Sequence, residues 1–183
     1  MKTSAVARVK SYPPPAPLAT PTELTPLQVR AVTVAVNPLI ADAFALYVKT
    51  KNFHWHVYGP HFNDYHHMFD EQAEAILDSV DEMAERIRKI GGMTIRSISH
   101  ISQLQTIEDD NDELVSPEKM VKCLAEDNAR MAKAVHDAIT LCDKNGDTAT
   151  SNLLQDILDK TDRRKWFLFE TLQETLQEPR HAT

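Results

Sequence analysis

Glycine is scarce in this chain of 183 residues: there are four, at Gly59, Gly91, Gly92 and Gly146. Long segments without glycine, and almost without proline, run between them. That pattern excludes a turn-rich β architecture and predicts an all-helical chain. Cysteine is nearly absent as well. Cys123 and Cys142 fall on one predicted helix, separated by roughly 28 Å of rise. They cannot bridge each other within a chain and read as reduced thiols of a cytosolic protein. No apolar run approaches the ~18 residues of a membrane span. The N-terminus lacks the basic-then-apolar order of a secretory signal. Positive charge is in deficit, with 20 Lys and Arg against 27 Asp and Glu, a net charge of −7 and a pI near 5.6. A body of that sign does not bind nucleic acid by general electrostatics.

The prolines organise what remains. Pro13, Pro14, Pro15, Pro17 and Pro21, with Pro26 just beyond, are more than half of the chain's ten. Residues 1–24 therefore read as a flexible, extended tail. It carries Lys2, Arg8 and Lys10, and no acid precedes Glu23. Such an arm is either an inert solubilising tail or a weak contact for DNA phosphates. Residues 25–178 read as one helical bundle, and 179–183 as a C-terminal tail. Thr25-Pro26-Leu27-Gln28 is a helix start, with Thr as N-cap, Pro at N1 and Gln at N3. The first long helix runs to about Val57, and Pro38 inside it predicts a kink or a restart capped by Asn37. Ile40, Phe44 and Tyr47 mark one of its apolar edges; Leu39, Ala43, Leu46 and Phe53 mark another. The second runs from about Asn63 to Ile90 and stops at Gly91-Gly92. Ile95, Ile98 and Ile101 predict a short amphipathic helix with one sticky face, and 108–113 is loop. The third long helix starts at Ser116-Pro117-Glu118 and ends before Asn145-Gly146. Its apolar steps are Val121, Leu124, Met131, Val135, Ala138 and Cys142. The fourth follows Asp147 or Thr148 as cap and runs to about Gln177, through the apolar residues Leu154, Ile157, Phe167, Leu168 and Leu172. Short first and third links with a long middle one predict an all-α, ferritin-like four-helix bundle with a short extra helix in its single crossover.

The chemistry is carried by His54, His66, Asp70, Asp81 and Glu85. Two imidazoles and three carboxylates make a mixed N/O ligand set that suits ferrous iron, with zinc and manganese as competitors. On an ideal helix His66, Asp70, Asp81 and Glu85 fall within an arc of roughly 100°. The apolar stripe of the same helix (Phe69, Ala73, Ile76, Val80, Met83, Ile87) is centred about 120° away. Between Asp70 and Asp81 the helix rises about 16 Å, so one ion with bonds near 2 Å cannot reach both pairs. The economical arrangement is a symmetric dimer. Two copies of this helix would run antiparallel, with His66 and Asp70 of one chain facing Asp81 and Glu85 of the other, which repeats the site twice.

An in-bundle di-iron site requires Glu-x-x-His motifs on two helices. The one such string, Glu178-Pro179-Arg180-His181, is broken by proline, so the shared-interface arrangement gains. The residues Lys51-Asn52-Phe53-His54-Trp55-His56-Val57-Tyr58-Gly59, then Phe62, His66, Phe69-Asp70-Glu71-Gln72, Asp81-Glu82-Met83-Ala84-Glu85-Arg86 and Gly91-Gly92 resemble the Dps family, the mini-ferritins called DNA-binding proteins from starved cells. The resemblance covers about residues 25–178. It implies a hollow dodecamer that oxidises Fe(II), preferably with hydrogen peroxide, and stores the ferric product, protecting the cell and its DNA. By motif match, His54, His66 and Asp70 come from one subunit and Asp81 and Glu85 from its mate, with room for two iron ions per site and zinc as a competitor. Asp70 and Glu85 are the implied principal carboxylates, and Trp55 matches a family tryptophan close to the iron. The cytoplasm is the implied location, with the nucleoid as a variant of it. A DNA-packing protein with iron oxidation secondary is the alternative function, weakened by a tail with few charges. His56, His61 and His67 are expected on the surface. Met68, Met83, Met120 and Met131 are expected as core filler. Asp147 and Asp156 are candidates for an acidic iron-entry pore, and Arg163-Arg164-Lys165 for salt bridges between subunits.

Overall fold

Thr25 opens the first helix with a complete capping box: its hydroxyl accepts from the Gln28 N–H, and its own N–H donates to Gln28 Oε1 at 2.8 Å. The computed structural model describes residues 14–177, with side chains to 173. Residues 1–13, with Lys2, Arg8 and Lys10, and residues 178–183, with Pro179 and His181, lie outside the described residues. The described chain forms α1 (Pro26–His56), α2 (Phe62–Lys89), α3 (Ile98–Leu104), α4 (Pro117–Lys144) and α5 (Thr148–Gln177), with one 3-10 turn at Ala16–Leu18 before them. No strand occurs among the described residues. The fold is the all-α, ferritin-like bundle expected from the sequence, with α3 inside the long crossover.

Pair contacts fix the topology. Lys51 meets Asp70, and Asn37 donates to the Met93 carbonyl at 2.9 Å, so α1 and α2 are antiparallel. Lys49 meets Asp127, and Gln28 donates to the Asn145 carbonyl, so α1 and α4 are antiparallel too. The crossover runs along α1 from Met93 upward. Its middle is held by Asp42, which accepts from Thr106 N–H, Thr106 hydroxyl and Ile107 N–H at 2.5, 2.8 and 3.0 Å. The predicted stripe of α2 is buried from Phe69 to Ile87, and the apolar steps of α4 are buried with it. Met83, Met120 and Met131 are core residues, and Met68 packs half-buried against them.

Several expectations are corrected. Helix α1 continues through Pro38 without a restart, and Asn37 spends its amide on the crossover rather than on a cap. The carbonyl that Pro38 leaves without a donor belongs to Val34, on an exposed turn where water can satisfy it. Helix α1 is also long and apolar enough to pass for a membrane span, contrary to the count of apolar runs. It packs against α2, α3 and α4, which accounts for that apolarity as core. The sticky face of α3 is split: Ile101 is buried, but Ile98 is 79% exposed. Phe167 belongs to the surface, 42% exposed under the Arg163 guanidinium, beside exposed Trp166 and Phe169. Arg164 is not a surface charge for a neighbouring subunit. It is buried, donating to Asn128 Oδ1 and Thr161 Oγ1 at 2.8 Å, while Lys165 pairs with Asp162 of its own helix. Burial without a carboxylate partner pushes the Arg164 guanidinium down to about 10.

Gly91 ends α2 at φ +82°, where an added Cβ would lie 2.9 Å from the Thr20 carbonyl oxygen. Gly91→Ala is expected to cost about 1–2 kcal/mol and to lower Tm by a few degrees, read by thermal unfolding at fixed protein concentration.

Candidate metal centre

The last turn of α1 and the first turns of α2 face each other across a short link in which Gly59 takes φ +99°. The link folds back tightly because glycine tolerates that left-handed backbone. It brings His54 and His66 into a parallel stack, with ring centroids 3.8 Å apart, and Phe62 covers His66 at 5.0 Å. Each imidazole is tied to the other residue's backbone. His54 Nδ1 donates to the His66 carbonyl at 2.8 Å, and His66 Nδ1 donates to the His54 carbonyl at 2.9 Å. A carbonyl only accepts, so each Nδ1 carries the hydrogen. In the neutral rings both Nε2 atoms then hold the free lone pair, the tautomer a metal ligand needs.

Asp70 lies one turn along α2 from His66. Its Oδ1 is 3.9 Å from His54 Nε2. Two ligands of one ion, with bonds near 2.05 Å, stand between about 2.9 Å apart at a right angle and 4.1 Å apart when opposite. His54 and Asp70 are therefore spaced to share an ion. The same Oδ1 accepts from Lys51 Nζ at 2.5 Å. The Lys51 ammonium holds the Asp70 carboxyl below its usual range, against a smaller upward pull from desolvation; the charges of His54 and His66 help to lower it. A depressed carboxyl contributes stability above its unfolded value near 3.8, and that contribution is lost as pH falls through the lower folded value.

Asp81 and Glu85 stand elsewhere. Both are exposed on the C-terminal half of α2. Glu85 pairs with Lys89 at 2.9 Å in an exposed i,i+4 contact, which is worth little. Asp81 makes no hydrogen bond or ion pair among the described residues, and Arg88 is spent on the Leu18 and Gly92 carbonyls. Within the single chain, no three His, Cys, Asp or Glu side chains among the described residues converge to hold an ion. The structure thus brings His54, His66 and Asp70 together and leaves Asp81 and Glu85 apart. Trp55 follows His54 but is 62% exposed. His56, His61 and His67 are exposed, as expected.

Sequence reasoning missed the role of Lys51. Its signal is position: one turn before His54, on the helix edge that faces α2. The pore expectation fails for Asp147, which is 3% exposed. Its carboxylate caps α5 through the Thr150 N–H and pairs with Arg86 at 2.7 Å. Asp156 remains an exposed side chain.

The family described as Ferritin-like domain matches residues 34–177. An uncharacterized low temperature-induced protein of Nostoc is 31% identical over 149 residues, covering 79% of this chain and 82% of that one. A DNA protection during starvation protein of Bacillus anthracis is 29% identical over 139 residues, covering 76% and 94%. A Dps crystal structure from Vibrio cholerae, described as one of the ferritin-like diiron-carboxylate proteins, superposes with a TM-score of 0.79 at 25% identity, covering 84% of this chain and 97% of that one.

Proposed function

Because this chain belongs to the Dps family of ferritin-like proteins, whose broad role is iron sequestration, we propose that it is a ferroxidase that oxidises Fe(II) at sites shared between two subunits and stores the ferric product in a hollow shell. One observation carries this reading: two imidazoles fixed in the ligand tautomer beside Asp70, in a group too small to hold an ion alone. The missing donors are Asp81 and Glu85, which lie exposed on the same helix. A two-fold partner would place its own copies of these carboxylates over the imidazoles.

In the proposed reaction Fe(II) is the substrate. Two ferrous ions each give up one electron, and the pair of electrons breaks the O–O bond of hydrogen peroxide. The oxygens leave as hydroxide or water, so no hydroxyl radical is released. His54 and His66 hold the ferrous ion, and Asp70 and the partner's Glu85 favour the harder ferric product, while the partner's Asp81 completes or bridges. Zinc, with the same N/O preference, competes for the site. Assembly follows the family pattern, a dodecamer of two-fold dimers, in the cytoplasm. The test is anaerobic loading with Fe(II) followed by a stopped-flow peroxide pulse, read by ferric absorbance with oxygen as comparison. Fast peroxide-driven oxidation with iron retained supports the proposal, and oxidation no faster than in buffer overturns it.

Lys51 sets the affinity of this site. Its ammonium occupies the Asp70 oxygen that an ion would use, so binding must displace it. Lys51→Met is expected to tighten Zn(II) binding, because it removes the cation that competes with the ion for Asp70, measured by titration calorimetry. DNA contact through Lys2, Arg8 and Lys10 is the secondary activity. It should appear as a gel shift at low salt that is lost near 200 mM salt.

A further inference from the structure

The crossover between α2 and α4 is tied down at two points, with little between them. At its start Asn37 donates to the Met93 carbonyl and Arg88 to the Gly92 carbonyl. Further on, Asp42 holds Thr106 and Ile107. Between those ties, residues 94–105 make no hydrogen bond or ion pair to the rest of the chain among the described residues. Ile101 is the one buried side chain of that stretch. Helix α3 has seven residues, too few to be stable alone, so its seat on α1 keeps it folded. That seat is poorly satisfied. Thr94 Oγ1 and His100 Nδ1 on the crossover, and Thr33 Oγ1 and Asn37 Oδ1 on α1, are buried without a hydrogen-bond partner among the described residues. A segment with one apolar anchor and orphaned polar atoms at its contact belongs to the low-stability end of a fold.

We propose that residues 94–105 form an acid-opened latch, which lifts off α1 when His100 takes up a proton while the ties at Met93 and Asp42 hold its two ends. The buried nitrogen is the trigger. A neutral imidazole accommodates Nδ1 as the nitrogen without hydrogen, its Nε2 carrying the proton. A second proton places an N–H at Nδ1, where no acceptor stands within reach. Lifting the segment gives that N–H to water. The charges around the ring favour the same outcome. Arg96 is the charged group that bears on His100, and no carboxylate stabilises the imidazolium. Along α1 between Asn37 and Asp42, the stretch beside the segment, Asp42 is the one charged residue, and it is spent on Thr106 and Ile107. Burial first, and then Arg96, hold the closed ring below its usual value of 6.5. The closed form therefore has its full stability above pH 6.5 and loses it as pH falls below that value. The opened segment exposes Ile101 and the α1 surface beneath it.

The test uses the full-length protein and needs no iron. Hydrogen–deuterium exchange is followed by mass spectrometry from about pH 7.5 to about pH 4, each rate divided by the intrinsic rate at that pH. Peptides covering Ile98–Leu104 should lose protection by roughly threefold to tenfold between pH 7.5 and pH 5.5, while peptides of α4 keep theirs. His100→Asn, which does not titrate, should leave the α3 protection flat over that range. Arg96→Gln removes the charge that opposes protonation of the closed form, and its loss should be smaller than in wild type. Protection of α3 that stays flat to pH 5.5 in wild type would overturn the proposal, as would a loss that survives in His100→Asn or is shared equally by α4. So would a loss that begins only below about pH 4.5, where carboxylates take up protons and the Asp42 tie itself releases.

Discussion

Asp81→Ala is expected to abolish peroxide-driven Fe(II) oxidation as completely as His54→Ala, by at least about 100-fold in each case. The equality is the informative part. Asp81 is exposed, makes no hydrogen bond or ion pair among the described residues, and sits about 16 Å of helix rise from Asp70. Read from one chain, its removal should cost nothing measurable, because surface changes away from specific contacts fall within about 0.5 kcal/mol. A large loss of oxidation with unchanged Tm therefore requires that Asp81 meet the imidazoles of another subunit. His54→Ala removes a ligand directly, and its Tm effect is separate because the ring also ties α1 to α2 through the His66 carbonyl. Stopped-flow ferric absorbance with a melting curve for each variant reads both quantities.

Asp127→Ala is expected to be the most damaging single change to stability. Lys49 Nζ and Asp127 Oδ2 meet at 2.6 Å with side chains 8% and 4% exposed. Removing the carboxylate leaves a buried ammonium unpaired, at a cost of about 3–5 kcal/mol, or roughly 10 °C in Tm. Arg130 also reaches Asp127, at 3.6 Å, but it is half-exposed and cannot stand in for Lys49's partner. The double change Lys49→Met with Asp127→Leu removes both charges and should restore most of the loss, since an apolar pair of similar volume avoids the desolvation of two ions. Differential scanning calorimetry of the three proteins at one concentration decides it. A Tm within two degrees of wild type for Asp127→Ala would mean that the pair contributes little.

The helices were legible because each carries its own punctuation. Thr25 with Gln28, Ser116 and Asp147 cap their helices through side-chain oxygens, and such caps are local rules written in adjacent residues. The stripe of α2 was legible for the same reason, since period alone fixes which residues share a face. Period does not say which neighbour covers that face. Ile98 and Phe167 have the right step for a core and yet face solvent in the single chain. Nor does charge report its own burial: Lys49, Asp127, Asp147 and Arg164 look like surface residues in sequence, and each is buried by a partner from a distant segment. The positions of the candidate ligands along α2 could be read from spacing. The Lys51 contact with Asp70 could not, because it joins two helices through a long side chain whose rotamer no local pattern records.

The shared site is the central claim, and mixing subunits tests it most directly. His54→Ala chains and Asp81→Ala chains are unfolded, combined in equal amounts and refolded together, then assayed for peroxide-driven oxidation. In a mixed dimer one of the two sites draws His54 from one chain and Asp81 from the other, and is intact. Random pairing then restores about a quarter of the wild-type rate from two inactive proteins. A mixture no more active than its components, with mixed dimers confirmed by native mass spectrometry, would contradict a site built from two subunits.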